Sequence, residues 1–183
     1  RIDQRKFHPW EGGEGKVPAQ YQLARLELAK ELINRKKYDD ALALIDECYI
    51  YPTHLGEGKL PGAQENDFNY YKAYILQQQG RPEEAHSLFV KACSGNSQPA
   101  AAMYYNDQKP DKIFYQGLAY RKLGEEEKAR SRFNQLITYG EEHLFDRFKM
   151  DYFAVSLPDL LIWEDDMDKK NRIHCNYLMA LGH

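Results

Sequence analysis

Apolar positions recur along most of this chain with the spacing of α-helices, in segments separated by short polar turns. The pattern predicts helices at residues 19–35, 38–49, 67–79, 82–93, 110–123 and 125–139. In the C-terminal part it predicts a short helical segment near 141–150, a new helix that starts at Pro158, and a helix at 168–182.

The helices are predicted to form pairs that repeat every 44 residues. Ala41, Ala85 and Ala129 are 44 residues apart, and each follows a short polar turn. The same step relates three further sets: Ala29, Ala73 and Gly117; Leu32, Leu76 and Tyr120; Ile45, Phe89 and Phe133. Small residues let two antiparallel helices approach closely, and the larger residue four positions later fills the groove between them. The pattern therefore predicts one helical hairpin in each 44-residue repeat.

The turns of two hairpins carry the residues that such turns favour. Gly80 and Gly124 suit the left-handed conformation that ends a helix, and Pro82 suits the first turn of the next one. The first unit has Lys36 at the same position, so its turn departs from the pattern.

The order of residue types at these offsets resembles the tetratricopeptide (TPR) motif. It consists of a small residue, an aromatic residue or Leu, then Gly, Ala and Phe. The matching residues are Gly117, Tyr120, Gly124, Ala129 and Phe133, with Gly80, Ala85, Phe89 and Ala92 in the preceding unit. Lys36 and Cys48 depart from it, and the period exceeds the usual TPR length of about 34. The resemblance implies an all-α, TPR-like α-α superhelix: a right-handed array of antiparallel hairpins with three full repeats and a partial C-terminal one.

Two loops share a second, separate repeat. Pro9 and the sequence Gly-Glu-Gly-Lys-Val-Pro at 13–18 recur as Pro52 and Gly-Glu-Gly-Lys-Leu-Pro at 56–61, whereas the third loop, 94–111, lacks the motif. A nucleotide-binding P-loop is excluded, because Trp10 and Thr53 stand where its first glycine is required and no hydroxyl residue follows the lysines.

The duplicated loops allow two interpretations that are compatible with each other. In the structural one, the glycines permit a tight turn, Lys16 or Lys59 bonds to neighbouring carbonyls, and the proline sets up the next helix. In the functional one, two equivalent loops project from one edge of the array and present charged side chains to a ligand or another domain. The binding residues would then be Trp10, Glu14, Lys16, His54, Glu57 and Lys59.

Three segments, at 8–16, 55–60 and 152–159, also resemble the C-terminal half of large bacterial TPR proteins with an uncharacterised, mutarotase-like N-terminal domain. This resemblance implies a carbohydrate-related parent protein. The start at Arg1 and the still-periodic end at 177–181 predict that the chain is a fragment of something longer.

A length of 183 residues favours one domain over residues 1–183. A net charge of −3 with both signs mixed along the chain gives no indication of nucleic acid or membrane as a partner. Three widely spaced cysteines, Cys48, Cys93 and Cys175, predict buried reduced thiols and a cytoplasmic location.

No catalytic, metal or cofactor motif stands out. Glu164, Asp165, Asp166 and Asp168 are acidic but lack the spacing of a calcium loop, and predict a solvated turn that caps the helix beginning near Asp168. His174 and Cys175 are adjacent, so on a helix their side chains diverge. Ser131 and Ser156 have no nucleophile motif around them.

These observations favour an interaction module, not an enzyme, whose loop edge or groove docks a peptide, a partner protein or another domain of its own chain. Tyr70, Tyr74 and Tyr120 are candidates for the groove, although tyrosines at helical spacing are also typical of half-buried packing. The rival hypothesis is that the helices complete the active site of a carbohydrate-active enzyme. A third is self-association through an apolar face at Ile173, Tyr177 and Leu181.

Overall fold

The structure is a computed structural model that describes residues 2–8, 15–101, 109–147 and 166–183. Within these ranges it is all-α, with no strand, which confirms the all-α part of the predicted fold class. The TPR-like superhelix stays a prediction. The α-helices are α1 (Lys16–Asn34), α2 (Tyr38–Cys48), α3 (Asn66–Gln78), α4 (Pro82–Ala92), α5 (Pro110–Lys122), α6 (Glu126–His143) and α7 (Met167–Gly182). Two short 3₁₀-helices lie at Ile2–Gln4 and Thr53–Leu55.

The chain divides into two compact units, residues 1–92 and 93–183. In unit 1, α1 packs on α2 and α3 packs on α4, with α2 also touching α3. In unit 2, α6 packs on both α5 and α7. The prediction of one domain spanning 1–183 stays a prediction.

The three hairpin turns are closed in the same way. A left-handed residue ends the first helix, and the N–H of the next residue donates to a carbonyl five positions back. The left-handed residues are Lys36 (φ 58°), Gly80 (φ 74°) and Gly124 (φ 78°). The closing N–H···O distance is 2.9 Å in each of the pairs Lys37–Leu32, Arg81–Leu76 and Glu125–Tyr120. The first turn, which departed from the sequence pattern, therefore has the same geometry as the other two.

Replacing Lys36 by glycine should raise the free energy of unfolding by about 0.5–1 kcal/mol. A residue with a Cβ is strained in the left-handed region, and this relief exceeds the added entropy of glycine in the unfolded chain. Urea unfolding of the variant measures the change. Lys37→Gly is the matched control, because Lys37 has a φ of −88° and should gain nothing. If both variants are equally stable, Lys36 is not strained.

Small residues bring the helices together as the period predicts. Ala29 and Ala41 are fully buried between α1 and α2, and Ile45 is buried beside them. At Gly117, an added Cβ would overlap the ring of Phe133 across the α5–α6 interface. The 44-residue period therefore marks the positions where each hairpin is most tightly packed.

The C-terminal unit differs from its predicted outline. A helix end at 139 and a separate segment near 141–150 were expected, but α6 continues through Gly140 to His143. Gly140 allows a close approach of α7, since an added Cβ would lie 2.6 Å from Met179 Cγ and 2.7 Å from Cys175 O. α7, expected as the first helix of a further, partial repeat, packs along α6.

Two further expectations concern residues that lie partly or wholly outside the described ranges. The helix expected to start at Pro158 and the acidic positions 164 and 165 lie outside the described residues. Asp166, which is described, caps α7 by accepting a 2.9 Å hydrogen bond from Lys169 N, as the capping prediction requires.

In the described ranges, no helix is both long and apolar enough to cross a membrane.

Candidate functional site

The residues predicted to bind a ligand are distributed over both units. In unit 1, Lys16 is the first residue of α1, whereas His54, Glu57 and Lys59 lie between α2 and α3 and Tyr70 and Tyr74 lie on α3. Tyr120 lies on α5 in unit 2. Trp10 and Glu14 are outside the described residues.

The two duplicated loops of unit 1 contact each other directly. Gly15 N, at the end of the first loop, donates a 2.7 Å hydrogen bond to Glu57 Oε2 in the second. Gly15 precedes α1 in the left-handed region (φ 74°). The carboxylate therefore satisfies a free N–H at the start of α1, where the helix dipole also favours negative charge.

The second loop is also held by the N-terminal segment. Phe7 N donates to His54 O at 2.8 Å. Gly56 has a φ of 81°, and a Cβ added there would lie 2.5 Å from Phe7 O, so only glycine allows this approach. Leu55, which lies between His54 and Gly56 in the sequence, is buried in a cluster with Val17 and half-buried Phe7.

Lys59 joins the second loop to the helices on either side of it. Its Nζ donates to Tyr49 O at 3.2 Å, just after α2, and forms an ion pair with Glu65, just before α3. The ammonium also lies 5.9 Å from the centre of the Tyr49 ring. This is the bond to a neighbouring carbonyl that the structural interpretation predicts for Lys59.

The described part of the shared motif, 15–18 in the first copy and 58–61 in the second, adopts two different structures. Lys16 and Val17 begin α1, whereas Lys59 and Leu60 lie in coil, seven and six residues before α3 begins at Asn66. Val17 is 8% exposed and packs in the cluster with Leu55, while Leu60 is 63% exposed. At these positions the two copies are therefore not equivalent, because Val17 packs into unit 1 and Leu60 lies in solvent.

Two partly buried side chains lie in the second loop region. The pKa of Tyr51 is raised, mainly by burial and further by the carboxylates of Glu57 and Glu65. A hydrogen bond with Gln22 and the charge of Lys59 act in the opposite direction and lower this pKa. His54 Nε2 is buried and has no hydrogen-bond partner among the described residues. The loop region is thus a packed, polar part of unit 1.

Two of the three tyrosines predicted for a groove, Tyr70 and Tyr120, contact side chains of their own hairpins. Tyr70 forms edge contacts with Tyr71 (5.5 Å between ring centres) and with Phe89 on α4 (5.8 Å). The ring of Tyr120 lies 5.5 Å from Lys128 Nζ and 5.6 Å from Arg132 Cζ, both on α6. Tyr70, Tyr74 and Tyr120 are half-buried, which agrees with the packing interpretation, and their role in a groove stays a prediction.

A pair of amide side chains, which the sequence interpretation missed, occupies equivalent positions in the first two hairpins. Gln22 Nε2 donates to Cys48 O at 2.9 Å, and Asn66 Nδ2 donates to Ala92 O at 2.8 Å. Donors and acceptors are both related by the period of 44, so the repeat itself was the available signal. Each amide satisfies a carbonyl at the end of the second helix of its hairpin.

Unit 2 contains an open groove that no sequence motif marks. It has a volume of about 610 Å³ and lies between α6 and the segment before α5. We call it the α6 groove. Its lining residues are Gln98, Pro99, Glu127, Arg130, Ser131, Asn134, Gln135, Thr138, Tyr139 and Glu142. Most of them are polar side chains that both donate and accept hydrogen bonds.

Neither a protein-family model nor a solved structure matches the chain. Among the described residues, no group of three or more His, Cys, Asp or Glu side chains is arranged to hold a metal ion.

Proposed function

We propose that this chain is a protein-interaction module of the TPR type that docks a polypeptide at the joined loops of unit 1. The polypeptide belongs to a partner protein or to another domain of the same chain. The observation that carries the proposal is the hydrogen bond between Gly15 N and Glu57 Oε2, which links the two loops into one surface. In this proposal the chain has no catalytic activity of its own.

Fixed loops favour binding because a partner does not have to order them. Glu57 and Lys59 are both held by bonds within unit 1, so the entropy of the second loop is already reduced. Between and beyond these bonds the loop presents exposed surface, with Leu60 as its apolar side chain. An exposed apolar residue beside charged neighbours suits the centre and rim of a protein interface.

The repeated turn geometry supports the TPR resemblance. Three turns spaced by 44 residues share a left-handed residue and the same closing hydrogen bond. Arrays of such hairpins commonly present loops and grooves to polypeptides. We propose this relation from the turns, the buried small residues and the period together.

The buried thiols support the proposed cytoplasmic location. Cys48, Cys93 and Cys175 are all buried and free. Burial raises the pKa of Cys93 to about 11, so this thiol stays protonated and unreactive near neutral pH.

A photo-crosslinking residue at position 60, in cells that naturally make the protein, identifies the docked polypeptide. Its dissociation constant is then measured by calorimetry with the purified proteins. Leu60→Ala should weaken binding about tenfold, because it removes apolar area buried at the centre of the interface. Glu57→Ala should weaken it about fivefold by loosening the loops.

Leu28 provides the matched control, since it is an exposed leucine on α1 outside the loops. A crosslinker at 28 should capture no common polypeptide, and Leu28→Ala should bind like the wild type. The proposal is wrong if position 60 captures nothing beyond position 28, or if Leu60→Ala leaves the dissociation constant unchanged.

A further inference from the structure

Both walls of the α6 groove are fixed by contacts within unit 2. One wall is the exposed face of α6, and the other contains Gln98 and Pro99. The segment that carries this second wall is held before and after these two residues. Gln116 Nε2 donates to Ser94 O at 3.1 Å and Asn96 O at 3.0 Å, and His174 Nε2 lies 2.8 Å from Ala100 O. Gln116 is itself fully buried. The groove is therefore built by the fold of unit 2.

The α6 wall carries a row of polar groups with unused bonding capacity. Among the described residues, no hydrogen bond or ion pair is formed by the side chains of Glu127, Arg130, Asn134, Thr138 and Glu142. They follow one another three or four residues apart and so lie along one face of the helix. From Glu127 to Glu142 this row is about 22 Å long, at ~1.5 Å per residue.

The shape of the groove favours a linear ligand. Small-molecule sites bury most of the surface of their ligand, whereas this groove is open along its side. A row of about 22 Å matches an extended peptide of about seven residues, at ~3.3 Å per residue. Such a peptide presents alternating N–H and C=O groups to both walls. The amides of Asn134 and Gln98, one on each wall, can donate to and accept from these groups.

The charges of the groove distinguish its two ends. Glu127 lies three residues from Arg130, so the carboxylate at that end has a cation nearby. Glu142 lies at the other end, and among the lining residues no cation is near it in sequence. A positively charged side chain of the ligand is favoured there by attraction to the carboxylate.

We propose that the α6 groove is a second binding site, separate from the loops of unit 1, for an extended peptide with a Lys or Arg side chain at the Glu142 end. The peptide backbone bonds to Asn134 and Gln98, and its basic side chain pairs with Glu142. This site goes beyond the docking proposed for unit 1, because it uses other residues and recognises a different feature of the partner.

A displayed library of random octapeptides, selected on the wild-type chain, tests this proposal. Selected peptides, labelled with fluorescein, are titrated by anisotropy. We expect them to contain Lys or Arg near one end. Asn134→Ala should weaken binding about fivefold through the lost hydrogen bonds. Glu142→Gln should weaken it about threefold and reduce its dependence on salt, since this pair is exposed.

Glu141→Gln is the matched control, because Glu141 is an exposed neighbour that does not line the groove. The Glu141→Gln variant should bind the selected peptides like the wild type. Leu60→Ala should also bind them like the wild type, because Leu60 belongs to the loops of unit 1 and not to this groove. Thermal unfolding of each variant excludes misfolding as the cause. The proposal is overturned if no peptide binds more tightly than about 1 mM, or if Asn134→Ala and Glu142→Gln both bind unchanged. It is also overturned if an oligosaccharide panel binds the groove and peptides do not.

Discussion

Leu136→Ala is expected to lower the free energy of unfolding of unit 2 by about 3 kcal/mol, within the range of 2–5 kcal/mol typical of such truncations. Leu136 is fully buried in a cluster with Ile113 from α5 and Leu178 from α7. Its side chain therefore contacts both neighbours of α6 at once. Removing it leaves a cavity that three helices would have to close together, which their other contacts resist.

Urea unfolding followed by circular dichroism measures this change, and the free energy is taken from the transition in which unit 2 unfolds. Ile173→Ala is the control in the same unit, because Ile173 is 60% exposed on α7. It should cost less than about 0.5 kcal/mol. Equal effects of the two substitutions would show that Leu136 is not at the centre of the core.

Gly140→Ala should destabilise unit 2 by about 1–3 kcal/mol, as overpacking of a close helix contact does. A Cβ at this position would lie 2.7 Å from the backbone oxygen of Cys175, and 2.6 Å from Met179 Cγ. The methionine side chain can move, but the backbone of α7 cannot move alone. The helices must separate to admit the methyl group, and contacts along both of them weaken.

The sign of this effect is informative, because alanine is normally the better helix former. In an exposed helix interior, Gly→Ala stabilises by about 1 kcal/mol. Glu141→Ala, at the adjacent exposed position of α6, should change stability little. A Gly140→Ala variant that melts above the wild type would mean that α7 does not approach α6 as closely as the structure has it.

The helical hairpins could be predicted because their determinants are local and repeated. Helical periodicity and small residues at a step of 44 place six helices within a few residues of their observed bounds. The end of α6 was predicted wrongly at 139. Gly140 resembles a helix terminator in sequence, and only its contact with α7 explains a glycine inside the helix.

The candidate sites were predicted less well because they depend on distant contacts. The motif at 13–18 and 56–61 is nearly the same, yet Val17 is buried and Leu60 is exposed. The α6 groove was missed since a polar row on a helix is typical of a solvated face. Its second wall, at Gln98 and Pro99, precedes α6 by about thirty residues and has no motif of its own.

The hydrogen bond between Gly15 and Glu57 also has a consequence for the order of folding. These residues are 42 positions apart, so the start of α1 is completed by a loop that follows α2. The α1–α2 hairpin can form early from contacts close in the chain, whereas closing this longer loop has a larger entropy cost. We therefore expect amide protons in the first turn of α1 to exchange faster than those near Ala29, although both belong to one continuous helix.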